Sequence, residues 1–281
     1  MVMTTSKVVG STISIYINAY LENQPGVWID LNNNGTMDNG EKVTSFGVNV
    51  TYTIGAKTVT IYGKVTTLGC SFNQLTSLDV SGNTELLDLD CNSNQLTSLN
   101  VSNNAELTTL YCNSNQLTSL NVSNNAELSI LYCHYNQLTS LNVSGCPKLI
   151  ELNCDNNQLT SLNVYGTNLH NLYCSNNQLT SLKVDSNKFL TILCCNNNKL
   201  TALDVTKNTD LTYLYIYNNK IKDMGVLKYM TWLINSLPAR AVSDGAKLYP
   251  KSSKNTEQNV FTDAHQTAAE AKNWEVHIVI F

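Results

Sequence analysis

Leu107-Thr-Thr-Leu110-Tyr-Cys112-Asn-Ser-Asn115-Gln-Leu117-Thr-Ser-Leu120-Asn-Val122-Ser-Asn-Asn125 decides the fold, because the same spacing returns on both sides of it. Cys70, Cys91, Cys112, Cys133, Cys154, Cys174 and Cys195 recur every 21 residues, with one step of 20. Three residues after each stands an asparagine, and Asn73, Asn94, Asn115, Asn136, Asn157, Asn177, Asn198 and Asn219 form a column without a gap. Self-similarity at a fixed period of this size marks a solenoid, in which each unit buries its apolar face only against its neighbours.

Side-chain alternation then assigns the columns. In Leu110-Tyr111-Cys112 the outer pair points inward and Tyr111 points out, which makes a short strand. Stacked units pair these strands in parallel, about 4.8 Å apart. An asparagine at the turn carries donors and acceptors, so it can satisfy backbone groups where the chain leaves the strand. The unit also contains itself: Leu117, Leu120, Val122 and Asn125 repeat the pattern with valine in the cysteine slot. Val80, Val101, Val122, Val143, Val164, Val184 and Val205 form that second inward column. Its asparagines, Asn83, Asn104, Asn125, Asn187 and Asn208, lapse to Cys146 and Thr167. A second parallel ladder is expected on the opposite wall, giving a mainly β, right-handed solenoid with short strands on two walls.

The pattern L-x-x-L-x-C-x-x-N-x-L is that of leucine-rich repeats, with cysteine in the third apolar slot. Asn94-Gln-Leu-Thr-Ser-Leu-Asn-Val101 and Leu110-Tyr-Cys-Asn-Ser-Asn-Gln-Leu117 resemble the nested 21-residue repeats of bacterial surface and secreted leucine-rich-repeat proteins. The resemblance covers residues 59–222, and Ala269-Glu-Ala-Lys-Asn-Trp-Glu-Val276 looks like the tail of the same proteins. It implies an exported, extracellular or cell-surface protein similar to adhesins and glycan-interacting proteins, with its leader absent from this chain.

Composition narrows the partners. Charged residues are 14 % and net charge is −4, with no Lys/Arg cluster dense enough to follow a phosphate backbone, so nucleic acid is excluded as an expected partner. Apolar runs fall far short of the roughly 20 residues that cross a bilayer. Seven of the nine cysteines stand at one repeat position and are no bridge framework. A straight ladder does not converge on one ion, and rungs about 4.8 Å apart exceed the roughly 3.8 Å between Cβ atoms of a relaxed disulfide. Buried free thiols are expected. Cys194 occupies an outward slot and is the candidate reactive thiol.

Residues 1–58 carry no repeat; Ile13–Ala19, Val48–Ile54 and Thr58–Tyr62 alternate as half-buried strands and read as a β cap. Inside it, Asp30-Leu-Asn32-Asn-Asn34-Gly35-Thr36-Met-Asp38-Asn-Gly-Glu41 fits the calcium-loop pattern D-x-[DN]-x-[DN]-G-x5-E at every specified position. Calcium takes six to eight hard oxygens. Asp30, Asn32, Asn34, the Thr36 carbonyl, Asp38 and a bidentate Glu41 supply the set, for a structural Ca2+ that stiffens the cap. The competing reading is an Asn/Gly-rich turn that binds nothing. Residues 223–281 read as an α/β cap: helical spacing over Val226–Leu237, a helix from Thr262 to Asn273 with Thr262 as N-cap, and a strand from Trp274 to Phe281.

The core columns are monotonous and the outward columns vary. Asp88, Asp90, Tyr111, Tyr132, His134, Glu151, Asp155, Tyr173, Tyr213, Tyr215 and Tyr217 gather in those slots as the candidate ligand-binding residues. Tyrosine offers broad contact area with a polar tip, which suits protein surfaces and sugar rings alike. The plain alternative is cross-strand pairing of aromatics on an exposed sheet. His134, His170, His265 and His277 show no metal spacing, and no nucleophile motif or phosphate loop stands out, so no enzyme is expected. The reading is a non-enzymatic recognition or adhesion protein with a protein ligand; a carbohydrate-binding module on the same face, or a spacer without a ligand, are the alternatives.

Overall fold

The computed structural model describes residues 1–221, 223–224, 227–228, 233–235, 237–241, 243, 245–252 and 259–279. By internal packing the chain divides into two units, Met1–Leu138 and Thr139–Phe281. The first opens with strands β1 (Val2–Thr5), β2 (Thr12–Asn18), β3 (Trp28–Asp30), β4 (Asn49–Thr53) and β5 (Thr58–Tyr62). The repeats begin with β6 (Thr67–Gly69) and β7 (Leu75–Asp79), followed by β8 (Asp88–Asp90), β9 (Thr109–Tyr111) and β10 (Ile130–Tyr132).

These strands form two sheets, and each continues one wall of the first coil. On one wall β6, β8, β9 and β10 pair in parallel with like residues in register, Leu89 on Leu110 and Leu110 on Leu131. There β2 closes the end by pairing antiparallel with β6, and β4 lies outside β2. On the other wall β1 pairs antiparallel with β7, with β5 and β3 beyond it. The cap thus supplies backbone partners to both walls of a coil whose edges would otherwise be open.

The second unit holds β11 (Ser140–Asn142), β12 (Glu151–Asn153), β13 (Ser161–Asn163), β14 (Asn171–Tyr173), β15 (Ile192–Cys194) and β16 (Tyr213–Tyr215). After β17 (Asp223–Met224) and β18 (Leu227–Lys228) come β19 (Lys247–Ser252), helix α1 (Asp263–Glu270) and β20 (Glu275–Val279). Strands β12, β14, β15, β16, β19 and β20 are parallel neighbours in one sheet. Thr262 caps α1 as the sequence suggests, its hydroxyl accepting the His265 N–H while the His265 ring accepts the Thr262 N–H. Of the helical spacing over Val226–Leu237, residues 226, 229–232 and 236 lie outside the described residues; residues 233–235 are helical. Residues 280 and 281 of the expected last strand also lie outside them.

Columns of like side chains fill the interior. Every ladder cysteine is a buried thiol, with Cys112 at 0 % exposure, and Cys146 is buried as well. Asn94, Asn115 and Asn136 each work for two coils. The Asn115 side-chain carbonyl accepts from Leu96 N–H at 3.0 Å, and its amide donates to the Cys91 and Cys112 carbonyls at 3.0 and 3.2 Å. One coil on, Asn136 donates to that same Cys112 carbonyl at 3.0 Å and accepts from Leu117 N–H. In the second unit Asn177, Asn198 and Asn219 repeat the arrangement.

The second wall is less regular. Among the described residues only β11 and β13 form a parallel pair there, yet Leu99, Val101, Leu120 and Val122 are buried without named strands. Burial of the apolar column, rather than a continuous hydrogen-bonded ladder, defines that wall. Its asparagines are half satisfied: Asn125 donates to the Val101 and Asn104 carbonyls, while the Oδ1 atoms of Asn104, Asn125, Asn187 and Asn208 are buried without a partner. Where the repeat shortens to 20 residues, Thr167 fills the slot; its hydroxyl donates to the Val164 carbonyl and accepts from Asn187.

Candidate functional site

The outward slots of the parallel wall are raised by strand alternation alone: Leu110 points in, so Thr109 and Tyr111 point out. In the first unit one outward row runs Tyr16, Gly69, Asp90, Tyr111, Tyr132, fixed by the strand register. Beside it runs Asn18, Thr67, Asp88, Thr109, Ile130. The structure therefore brings Asp88, Asp90, Tyr111, Tyr132 and His134 onto one face. Tyr111 and Tyr132 meet with ring centroids 5.0 Å apart and tilted by 59°. Tyr132 packs edge-on to His134, and His134 edge-on to Tyr135. Burial of its ring pushes the His134 imidazole pKa down, which favours the neutral form.

Tyr135 was not singled out in the sequence. It occupies the position before the ladder asparagine, where every coil turns through a left-handed conformation. Ser93, Ser114, Asn156, Asn176, Asn197 and Asn218 hold that position elsewhere. Phe72 and Tyr135 adopt it at φ 58° and 52° and are 74 % and 58 % exposed. A large L-residue there costs about 1–2 kcal/mol, and both rings remain largely exposed.

In the second unit Glu151, Asp155, Tyr173, Tyr213, Tyr215 and Tyr217 lie in the corresponding slots. The row through Asn153, Tyr173, Cys194 and Tyr215 continues to Tyr249. The Tyr215 and Tyr249 rings stack face to face at 4.0 Å and 6°, and His277 lies on the other side of Tyr249 at 5.0 Å. Burial, then the hydrogen bond to Tyr249, raises the Tyr215 pKa. Tyr249 and His277 were not among the expected ligand-binding residues because no repeat motif surrounds them. Burial lifts the Asp155 carboxyl to about 6, against the opposing bond from Ser175 N–H. Cys194 is the partly exposed thiol expected from its slot, but burial and the nearby Asp155 charge push it up to about 12. A thiol so raised is a poor nucleophile at neutral pH.

The calcium-type loop projects between β3 and the Lys42 bridge to Trp28. Its end carboxylates are buried, Asp30 at 1 % and Glu41 at 3 % exposure. Asp30 accepts from Asn34 and Gly35 N–H, and Glu41 from Leu31 and Asp38 N–H at 2.7 and 2.8 Å. The amides of Asn32 and Asn34 both donate to Asp38 Oδ2 at 2.7 Å, so three of the expected ligands converge. Among the described residues no three His, Cys, Asp or Glu side chains are arranged to hold a metal ion. An EF-type set differs in drawing several of its oxygens from amides and a carbonyl.

No family model matches the chain, and no curated protein matches it. Solved structures do. The functional domain of InlJ from Listeria monocytogenes, described as including a cysteine ladder, is 29 % identical with a TM-score of 0.52, over 78 % of this chain and 55 % of that one. A leucine-rich-repeat protein of Leptospira interrogans is 22 % identical with a TM-score of 0.58, over 75 % of this chain and 55 % of that one. YopM, a leucine-rich effector protein from Yersinia pestis, is 24 % identical with a TM-score of 0.51, over 68 % of this chain and 54 % of that one. The chain thus spans little more than half the length of these structures. No helix among the described residues is long and apolar enough to cross a membrane. With its 21-residue period and buried cysteine column, the chain is a leucine-rich-repeat solenoid of the kind found in these bacterial proteins.

Proposed function

We propose that this is a non-enzymatic protein-recognition protein, exported and surface-associated, that binds through the tyrosine-rich outer faces of its parallel strands. The observation that carries the reading is how the rings are spent. Sugars stack on free aromatic faces. Here Tyr249 is covered on one side by Tyr215 and on the other by His277, while Tyr111, Tyr132, His134 and Tyr135 lean on one another. What such rows present is ring edges and hydroxyls among Asp, Glu and His, a surface suited to the mixed apolar and hydrogen-bonding contacts of a protein partner. A display of extracellular protein domains and a glycan array, both probed with the full chain, test this. Binding to a protein that Tyr132→Ala or Tyr215→Ala weakens at least tenfold, with melting unchanged, is the expected result. Glycan binding would replace this reading with the carbohydrate one, and silence in both would favour a spacer.

We further propose that Asp30, Asn32, Asn34, the Thr36 carbonyl, Asp38 and Glu41 hold a structural calcium ion. In support, two buried carboxylates lie in one loop, and among the described residues no lysine or arginine is ion-paired with either. Buried charge without a counter-charge is costly. A divalent cation would supply that compensation and tie β3 to the Glu41 end of the loop.

A further inference from the structure

We propose that a cleft on the first unit's outer face, between Tyr16 and Tyr111, receives the side chain of an arginine from a partner protein. The proposal rests on the reading of this face as a protein-recognition surface and names the chemistry it selects.

The cleft has a volume of about 430 Å³ and is lined by Tyr16, Thr67, Gly69, Asp88, Asp90 and Tyr111 among others. Glycine makes it possible. Every other member of the row Tyr16, Gly69, Asp90, Tyr111, Tyr132 carries a side chain at this point. A Cβ on Gly69 would come within 3.0 Å of Tyr16 Cβ, so its absence lets Tyr16 close one end while the floor stays open. Tyr111, one rung beyond Asp90, closes the other end.

The charge is one-sided. Asp88 accepts from the hydroxyls of Thr108 and Thr67 at 3.2 and 3.4 Å. Asp90 Oδ1 accepts from the Asn92 backbone and side-chain amides at 3.1 and 2.6 Å. These donors are neutral: they orient the carboxylates without cancelling their charge. No lysine, arginine or histidine lines the cleft, and among the described residues neither aspartate is ion-paired. A carboxylate offers about four lone-pair directions, so acceptor capacity is left on both.

Three cations could answer that charge, and the shape separates them. A hard divalent ion needs six or more oxygens within about 2.6 Å. Asp88 and Asp90 are two residues apart on one strand, so their Cα atoms are separated by roughly 6.6 Å, and apart from the Asn49 amide the remaining lining is apolar or hydroxyl. An ammonium is a compact, strongly hydrated point charge. A guanidinium is planar and carries five donors in a fork that spans two acceptors. Two carboxylates flanked by tyrosines match it best.

The test is a chemical-shift titration of the isotope-labelled full chain at low salt with N-acetyl-arginine methylamide, its neutral citrulline analogue, and calcium chloride. Saturable shifts of the Gly69 and Asp90 amides with the arginine probe, none with the citrulline probe, and at least tenfold weaker binding in Asp90→Asn are the expected results. Equal response to citrulline, unchanged affinity in Asp90→Asn, or displacement of the probe by calcium would each overturn the proposal. The citrulline comparison uses the unaltered chain, so it stands even if the variant folds poorly. Failure here with a protein partner still lost in Tyr132→Ala would remove the arginine and leave the recognition face; the opposite outcome would remove the face's wider role.

Discussion

Asn115 and Asn125 are the same residue in two columns of one coil, yet their surroundings differ. Asn115 accepts from Leu96 N–H and donates to the Cys112 carbonyl of its own coil and the Cys91 carbonyl of the one before. Asn125 donates to two carbonyls but leaves its own oxygen buried and unpaired. A buried polar group without a partner costs about 1–3 kcal/mol, so Asn125 already carries one such cost. Asn115→Ala should lower the unfolding free energy by about 3 kcal/mol and Asn125→Ala by about 1 kcal/mol, measured by urea titration; equal losses would contradict the account. The sequence hints at this asymmetry, since only the second column lapses, to Cys146 and Thr167. A titrating group makes the second prediction at this scale. Asp155 sits near 6 in the folded chain against an ordinary value of 3.8, because burial disfavours its charge. The folded state therefore binds this proton more tightly than the unfolded one. Its contribution favours folding below about pH 4 and is lost as pH rises through 6. Asp155→Asn should accordingly raise the melting temperature more at pH 8 than at pH 4, and carboxyl NMR should show the native group titrating near pH 6.

Among elements, the repeat strands were legible because inward residues recur at one spacing, whereas the terminal coils were not. Asn259 completes the asparagine column: it accepts from Ile221 N–H and donates to the Ile216 carbonyl. It stands 43 residues from that carbonyl, where the regular interval is 24, as between Asn219 and Cys195. Likewise β19 takes the next rung, with Leu248 over Leu214 and Tyr249 over Tyr215. The column is satisfied there by tertiary geometry, which no fixed spacing reveals. Of the cap strands, β2, β4 and β5 were visible from alternation, but β1 was not, nor was the pairing with both walls, since alternation carries no information about partners. At the same scale, the loop after β3 supplies a prediction. Calcium at a hundred times its Kd should stabilise the full chain by about 2.7 kcal/mol, seen as a rise in melting temperature that Glu41→Gln reduces. An unchanged melting temperature with millimolar calcium, and no heat by calorimetry, would leave the loop as a plain turn.

Across the whole molecule, within each of its two units, stability comes from repetition: each coil buries its leucines, its cysteine and its valine against the next, and polar groups enter the interior chiefly as amide columns. Fold class was therefore readable from one 21-residue unit, while the ligand was not, because the same outward slots that vary freely are invisible to the packing that fixes the core. The most direct test is thiol labelling of the native chain, mapped cysteine by cysteine by mass spectrometry. Cys70, Cys91, Cys112, Cys133, Cys154, Cys174 and Cys195 should react only on global unfolding, with no disulfide among them and Cys194 alone reacting slowly in the native state. Prompt native labelling of Cys112, or a disulfide between successive ladder cysteines, would contradict it.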